Sequence, residues 1–374
     1  MQIDFHHGVT YVCARLAGFA DSEAGLIAYC AQYVDDATKE GEIEFDNGMR
    51  FSRISSAHKM LDYANLSDLS NCKAWLPFHF LPGNRGEEAP AAPPPAYDRD
   101  EFLERCVCKP NSPVAREMMR AVVERQDRPY ALHRLGIAAH VFVDTWAHKE
   151  FVGFHHRINS ATDLEAENDG HHAEPIGSRI KLFFGAAIDQ IQGLALGELF
   201  PLGHGSVLSY PDRPYLRWSY TNGRGQKIRR DNTALFTEAA RELYQHFCRY
   251  RAFSTQGEAV FTMSFKPPAA FDRIREKLAS FVDEAPEARH AQWLAAIRRG
   301  DFGFSADPSY HDRGPLSWKC HALQTLEDIA ESDEPLPFPP QFTTSNWKLF
   351  HDALQAHRFY ILHELLPRYG LLSV

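Results

Sequence analysis

Apolar residues recur at intervals of three and four through most of this chain, the period of helices with one buried face. The pattern predicts helices over 9–34, 112–128, 131–152, 178–199, 233–252, 270–283, 287–299, 318–331 and 345–366. Strand-like alternation is scarce, and "IEFDNGMRFSRI" (43–54) is the best candidate for a short hairpin. Proline-rich "GEEAPAAPPPAYDRD" (86–100) reads as an irregular surface insertion, and "ESDEPLPFPPQF" (331–342) as a second loop. The expected fold class is therefore all-α. Residues 1–232 hold nearly all the clustered His and Asp and are expected to form the catalytic domain. Residues 233–374 read as plain amphipathic helices, either a lid or a second half of the same bundle.

One predicted helix breaks its own apolar rule. "LHRLGIAAHVFVDTWAHKEFVG" (132–153) carries His140, Asp144 and His148 at intervals of four, which places them on one face. Unpaired polar groups in such a greasy helix would cost several kcal/mol, by order of magnitude, so something must satisfy them. His140 and His148 lie about 12 Å apart along the axis at roughly 1.5 Å per residue. Both cannot reach one ion, since a Zn–N bond is roughly 2 Å. Asp144 lies midway and has two oxygens. The spacing suits at least two ions bridged by Asp144, and fits a mononuclear His-Glu-x-x-His site poorly.

The chain is long enough for one large domain or two smaller ones, and its 24% charged content is that of an ordinary globular protein. A net charge of −9 argues against a nucleic-acid partner. Seven cysteines with no CxxC pair favour free thiols over a disulfide framework. No stretch reaches 18 apolar residues and "MQIDFHHGVTYV" lacks signal-peptide features, so a cytoplasmic protein, or one exported by a non-classical route, is expected.

Other short motifs supply further oxygen and nitrogen donors of the kind zinc takes. They are "IDFHHG" (Asp4, His6, His7), "QYVDDA" (Asp35, Asp36), "SSAHKM" (His58), "LPFHFLPG" (His79), "GHHAEP" (His171, His172, Glu174) and "LGHGSVLSYPD" (His204, Asp212). Taken singly, His79 and His133 read as satisfied core histidines. His155, His156, His171 and His172 lie in a polar stretch that reads as a solvated loop.

"LGIAAHVFVDTWAH" resembles the central helix of the zinc-dependent phospholipase C and P1 nuclease superfamily. "MQIDFHHGVTY", "AQYVDDAT", "SAHKMLDY", "PFHFLPG" and "GHGSVLSYPD" are similar to the Gram-negative zinc metallophospholipase C group, over roughly the first 220 residues. The resemblance implies a multi-helix bundle in which Asp144 bridges two zinc ions of a two- or three-ion cluster. It implies as ligands Asp4, His6, Asp35, Asp36, His58, His140, Asp144, His148, His204 and Asp212, with Asp144 and Asp36 catalytic. The Gram-positive enzymes also use the amine of a processed N-terminus, a part assigned here to Asp4 and His6. Their late His-x3-Glu pair is carried over to His204 and Asp212.

The implied reaction is hydrolysis of phosphatidylcholine or a similar phospholipid at a membrane surface, with peripheral contact only, giving diacylglycerol. A quaternary ammonium headgroup would want an aromatic box, for which Trp146, Trp218 and Tyr220 are candidates. Alternatives are a P1-type nuclease or phospholipase D on the same site, an HD-type phosphohydrolase using His311–Asp312 or His351–Asp352, and a non-enzymatic helical binding protein.

Overall fold

A computed structural model describes residues 1–57, 68–91, 97–154, 156–168, 205–326 and 335–371. A π-helical turn (Asp4–Val9) leads into α1 (Thr10–Leu16), followed by α2 (Asp21–Asp36). The continuous helix predicted over 9–34 is thus interrupted. The break falls at Gly18, whose φ of +91° no helix accommodates. A hairpin of β1 (Gly41–Glu44) and β2 (Arg50–Arg53) pairs Ile43 with Phe51, inside the stretch where alternation predicted it.

After α3 (Asp68–Phe78), α4 (Arg99–Cys106) and α5 (Pro113–Glu124) comes α6 (Ala131–Ala147). A second sheet is built from β3 (Ala161–Ala166), β4 (Arg217–Asn222) and β5 (Lys227–Asp231), antiparallel in that order. The remainder is α7 (Asn232–Gln256), α8 (Asp272–Ser280), α9 (Pro286–Arg298), α10 (Trp318–Leu323) and α11 (Asn346–Phe359). The all-α expectation is corrected: the protein is 56% helical and 10% strand, with two small antiparallel sheets.

Local chemistry explains the helix starts. Ser112 and Asp231 accept the Ala115 and Ala234 N–H groups at 3.2 and 3.0 Å, satisfying donors that the first turn leaves open. Pro113 occupies the first turn of α5, where its missing N–H costs nothing. Helix α6 needs no polar face, because α2, α5, α7 and α11 all pack against it. Its C-terminal carbonyls are capped from the sheet: buried Arg230 on β5 donates to Trp146 O at 2.6 Å and Ala147 O at 2.9 Å.

The main apolar core runs from Met1 to Leu371 and crosses residue 232 without a break. Phe236, Leu243 and Trp293 from the C-terminal helices share it with Phe5, Val9 and Phe142. Residues 233–374 therefore complete the core around the N-terminal segment. Cys13, Cys30, Cys106, Cys108, Cys248 and Cys320 are buried. Among the described residues no helix is long and apolar enough to cross a membrane.

The approach of α2 to α6 depends on Gly136. A Cβ there would lie 2.4 Å from the Ile27 carbonyl oxygen and 2.6 Å from Cys30 Cβ. Backbone cannot swing aside as a side chain can. Gly136→Ala is expected to cost about 2–3 kcal/mol of unfolding free energy, read from urea melts, because it overpacks this contact. An unchanged melt would mean the helices can separate freely.

Candidate metal centre

Helix α6 presents His140 and Asp144 to a point that four other segments also reach. The N-terminal turn supplies His6 and the Met1 nitrogen. Asp35 comes from the end of α2, His79 directly follows α3, and Asp212 closes a 3-10 turn (Tyr210–Asp212). The π-helical turn is wider than an α-turn, and it aims consecutive histidines at different neighbours. His6 faces Asp144, whereas His7 meets His290 of α9, with 2.9 Å between Nδ1 and Nε2.

Asp144 is 1% exposed, and its two oxygens serve different partners. Oδ1 lies 2.5 Å from the Met1 nitrogen and 3.2 Å from His6 Nε2. Oδ2 lies 3.2 Å from His140 Nε2 and 3.4 Å from His79 Nδ1. Around it are two donor sets, His6–His140–Asp144 and Asp35–His79–His140, the donor atoms of each within 4.8 Å of one another. An imidazole nitrogen has one lone pair, so His140 can serve only one of the two sets. The carboxylate is the group able to join them.

Backbone carbonyls fix the ring orientations. His140 Nδ1–H donates to Ala31 O at 2.6 Å, and His79 Nε2–H donates to Ser56 O at 3.1 Å. Each ring therefore turns a lone pair inward, the arrangement that orients histidine metal ligands. His6 stacks on His140 with centroids 3.8 Å apart; its Nε2 faces Asp144 Oδ1 at 3.2 Å, while its buried Nδ1 has no hydrogen-bond partner among the described residues. Burial and the adjacent His140 hold His6 well below the usual imidazole range, outweighing the pull of Asp144. Neutral imidazoles around carboxylates are a donor set of the kind zinc takes.

The charged groups agree with that reading. Desolvation pushes Asp35 up to about 8 against the opposing pull of His79, and Asp144 adds to the rise. Burial would raise Asp144 too, but His148, the Met1 amine, His140 and His6 outweigh it and hold it well below the carboxylate range. Burial would lower the Met1 amine, yet Asp144, Asp212 and Asp35 keep it at about 11. Its nitrogen stands 3.3 Å from Asp212 Oδ1.

A family model matches residues 1–365. The chain belongs to the DUF6765 family. DUF6765 is a family of unknown function, so membership assigns no activity. No curated protein and no solved structure matches the chain. In this DUF6765 chain the matched span includes every residue that forms the centre.

Several expected ligands stand elsewhere. Asp4 turns away from the centre and ion-pairs with Arg289 at 2.6 Å, so the place assigned to it is taken by the Met1 amine. Asp36 is one residue, and hence about 100° of helix, from Asp35. It accepts hydrogen bonds from Tyr310 and Gln32 and belongs to neither donor set. His148 caps α6 beyond its last turn, and its Nδ1–H donates to His79 O at 2.7 Å. Its Nδ1 is 3.6 Å from Asp144, yet among the described residues it joins neither set. His58 and His204 lie outside the described residues, as do His171, His172 and Glu174.

The aromatic box is corrected. Trp146, Trp218 and Tyr220 are wholly buried in apolar clusters, where no headgroup can reach them. Trp218 Nε1–H donates to Asn232 at 3.1 Å, and the Tyr220 hydroxyl donates to Glu150 at 3.3 Å. The His-Asp pairs do not converge either: His351 packs against Trp347, and Asp352 pairs with Lys348. His79, which alone reads as core, is a member of the second donor set. Its signal was the repeated His in reach of an Asp-rich helix end, visible only once the fold joins 35 to 79.

Proposed function

We propose that this DUF6765 protein is a zinc-dependent phosphodiester hydrolase, a phospholipase C acting on phosphatidylcholine or a similar phospholipid. The observation that carries the reading is Asp144, a buried carboxylate whose two oxygens face two histidine-containing donor sets. His6, His140 and Asp144 would hold one ion. Asp35, His79 and the second Asp144 oxygen would hold another, and the Met1 amine and Asp212 stand ready for a further one once that amine loses its proton.

Bound ions of this kind neutralise phosphate charge and bring the pKa of a water toward about 7. The chain's own part is orientation and exclusion. The Ala31 and Ser56 carbonyls lock the His140 and His79 rings. Burial of His6, His140 and Asp144 keeps bulk water from screening the site.

A P1-type nuclease is the second reading, favoured by one feature. A cavity of about 550 Å³ adjoins Asp36, and its lining includes Lys39, Arg53, Arg313 and Lys319. Such a lining suits a substrate with more than one phosphate. Protein purified without chelator should carry two or three zinc ions per chain and release diacylglycerol from phosphatidylcholine vesicles. Release of phosphatidic acid would favour phospholipase D, and hydrolysis of oligonucleotides alone the nuclease. Absence of stoichiometric zinc would overturn all three.

A further inference from the structure

On the side of α6 opposite Asp144, Phe142 points outward and meets the ring of His246 on α7, with centroids 4.7 Å apart. His246 is 4% exposed, and neither of its nitrogens has a hydrogen-bond partner. Buried imidazoles normally find partners, and this one lines a cavity of about 560 Å³ between α5, α7 and the π-helical turn Tyr360–Leu365. One turn along α7, on the same face, Arg249 lines the same cavity.

The charges of the wall are almost balanced. Arg116, Arg120, Arg125 and Arg368 each pair with a glutamate of the lining. Arg249 does not: it forms no ion pair with a described residue, and its buried Nε has no acceptor. Among the described lining residues Arg249 is thus the one arginine without an ion pair, with Glu242 acting on it at longer range, and it stands beside an unsatisfied imidazole. Burial, then Arg249 and Arg116, push His246 down to about 3, so the ring is neutral and offers one N–H.

We propose that this cavity is a second ligand site, in which His246 and Arg249 bind the phosphate group of a small phosphorylated molecule. A guanidinium fork beside an N–H donor matches the oxygens of a phosphate, and the fork gives charge-assisted bonds that neutral donors do not. The volume exceeds what inorganic phosphate fills. The remaining space leaves room for an attached group. The site is separated from the metal centre by α6 and does not depend on what that centre hydrolyses.

Calorimetric titration of the purified protein with inorganic phosphate and with phosphoethanolamine tests this. Saturable binding of either is expected, with free phosphate as tight as the ester if the ion itself is the ligand, and weaker if the attached group is recognised. Arg249→Gln should weaken it by about tenfold or more, the loss of a charge-assisted hydrogen bond. His246→Phe keeps the ring against Phe142 and should weaken it similarly, while zinc content stays that of the unaltered protein. The saturable component that Arg249→Gln removes should persist in Asp144→Asn, whatever phosphate the metal centre itself takes up. Binding lost in Asp144→Asn but kept in Arg249→Gln would assign the phosphate to the metal centre and overturn the proposal. Absence of saturable binding at millimolar ligand would overturn it too.

Discussion

Asp144→Asn is expected to strip more than one zinc equivalent from the protein and to lower turnover by several orders of magnitude. The substitution keeps the side-chain shape but removes a negative charge that both donor sets share. One oxygen becomes an amide nitrogen, which has no lone pair to give, so one set loses a ligand outright. The other keeps an oxygen but loses its charge, and ions held close together then repel each other with less screening. His6→Ala and His79→Ala each remove a donor from one set only. Each should cost about one equivalent. Elemental analysis of the three variants separates the cases, once circular dichroism shows that they fold. Equal losses in all three would make Asp144 a terminal ligand. Full zinc and near-normal turnover in Asp144→Asn would remove the basis of the metal centre.

Arg289→Met should be the most destabilising single change outside the centre, by about 3–5 kcal/mol, the usual cost of leaving a buried charge unpaired. Arg289 is fully buried, and its guanidinium makes four hydrogen bonds: to Asp4 at 2.6 Å, to Gln2 at 2.6 Å, and to the Asp283 and Glu284 carbonyls at 2.6 and 3.1 Å. Burial already raises the Asp4 carboxyl despite Arg289, so loss of the guanidinium leaves that carboxylate buried without its partner. Gln2 and Asp4 lie between Met1 and His6, in the segment that seats both. The ion beside His6 should therefore weaken while the Asp35–His79 position keeps its own. Adding Asp4→Asn should recover part of the stability, because the orphaned charge goes with it. A urea midpoint within 1 kcal/mol of the unaltered protein, by the ordinary conversion of a melt, would show that the pair is not structural.

Much of this was legible beforehand, for reasons specific to each element. The 3.6-residue period locates α5, α7 and α9 because one face of each is core, whereas α6 is buried all round and shows as a long apolar run. The 43–54 hairpin announces itself through Asn47–Gly48 between alternating runs. The three-stranded sheet was missed. "RWSYTNGRGQKIRRD" does alternate, but Arg229 and Lys227 dilute it, and buried Arg230 is an arginine where a hydrophobe would be expected. The i, i+4 spacing of His140 and Asp144 revealed the centre, since helix geometry alone places them together. The choice between Asp35 and Asp36 turned on helix phase, which adjacent residues do not encode. The resemblance points to an N-terminal amine, but that part is assigned to Asp4 and His6, because nothing in the sequence pattern shows that the fold brings the Met1 nitrogen to Asp144.

The segment that carries His6 is held from the far end of the chain. Asp4 waits for Arg289, 285 residues later, and His7 for His290, 283 residues later. At roughly 5–20 residues per second, ribosomes need on the order of 15–60 s to bridge that interval. The first helical turn to be made is thus among the last to be seated. During synthesis His6 has no fixed place beside Asp144, and the half of the centre it completes cannot close until α9 has emerged. The order of synthesis thus leaves the candidate centre incomplete in the nascent chain until the fold is finished.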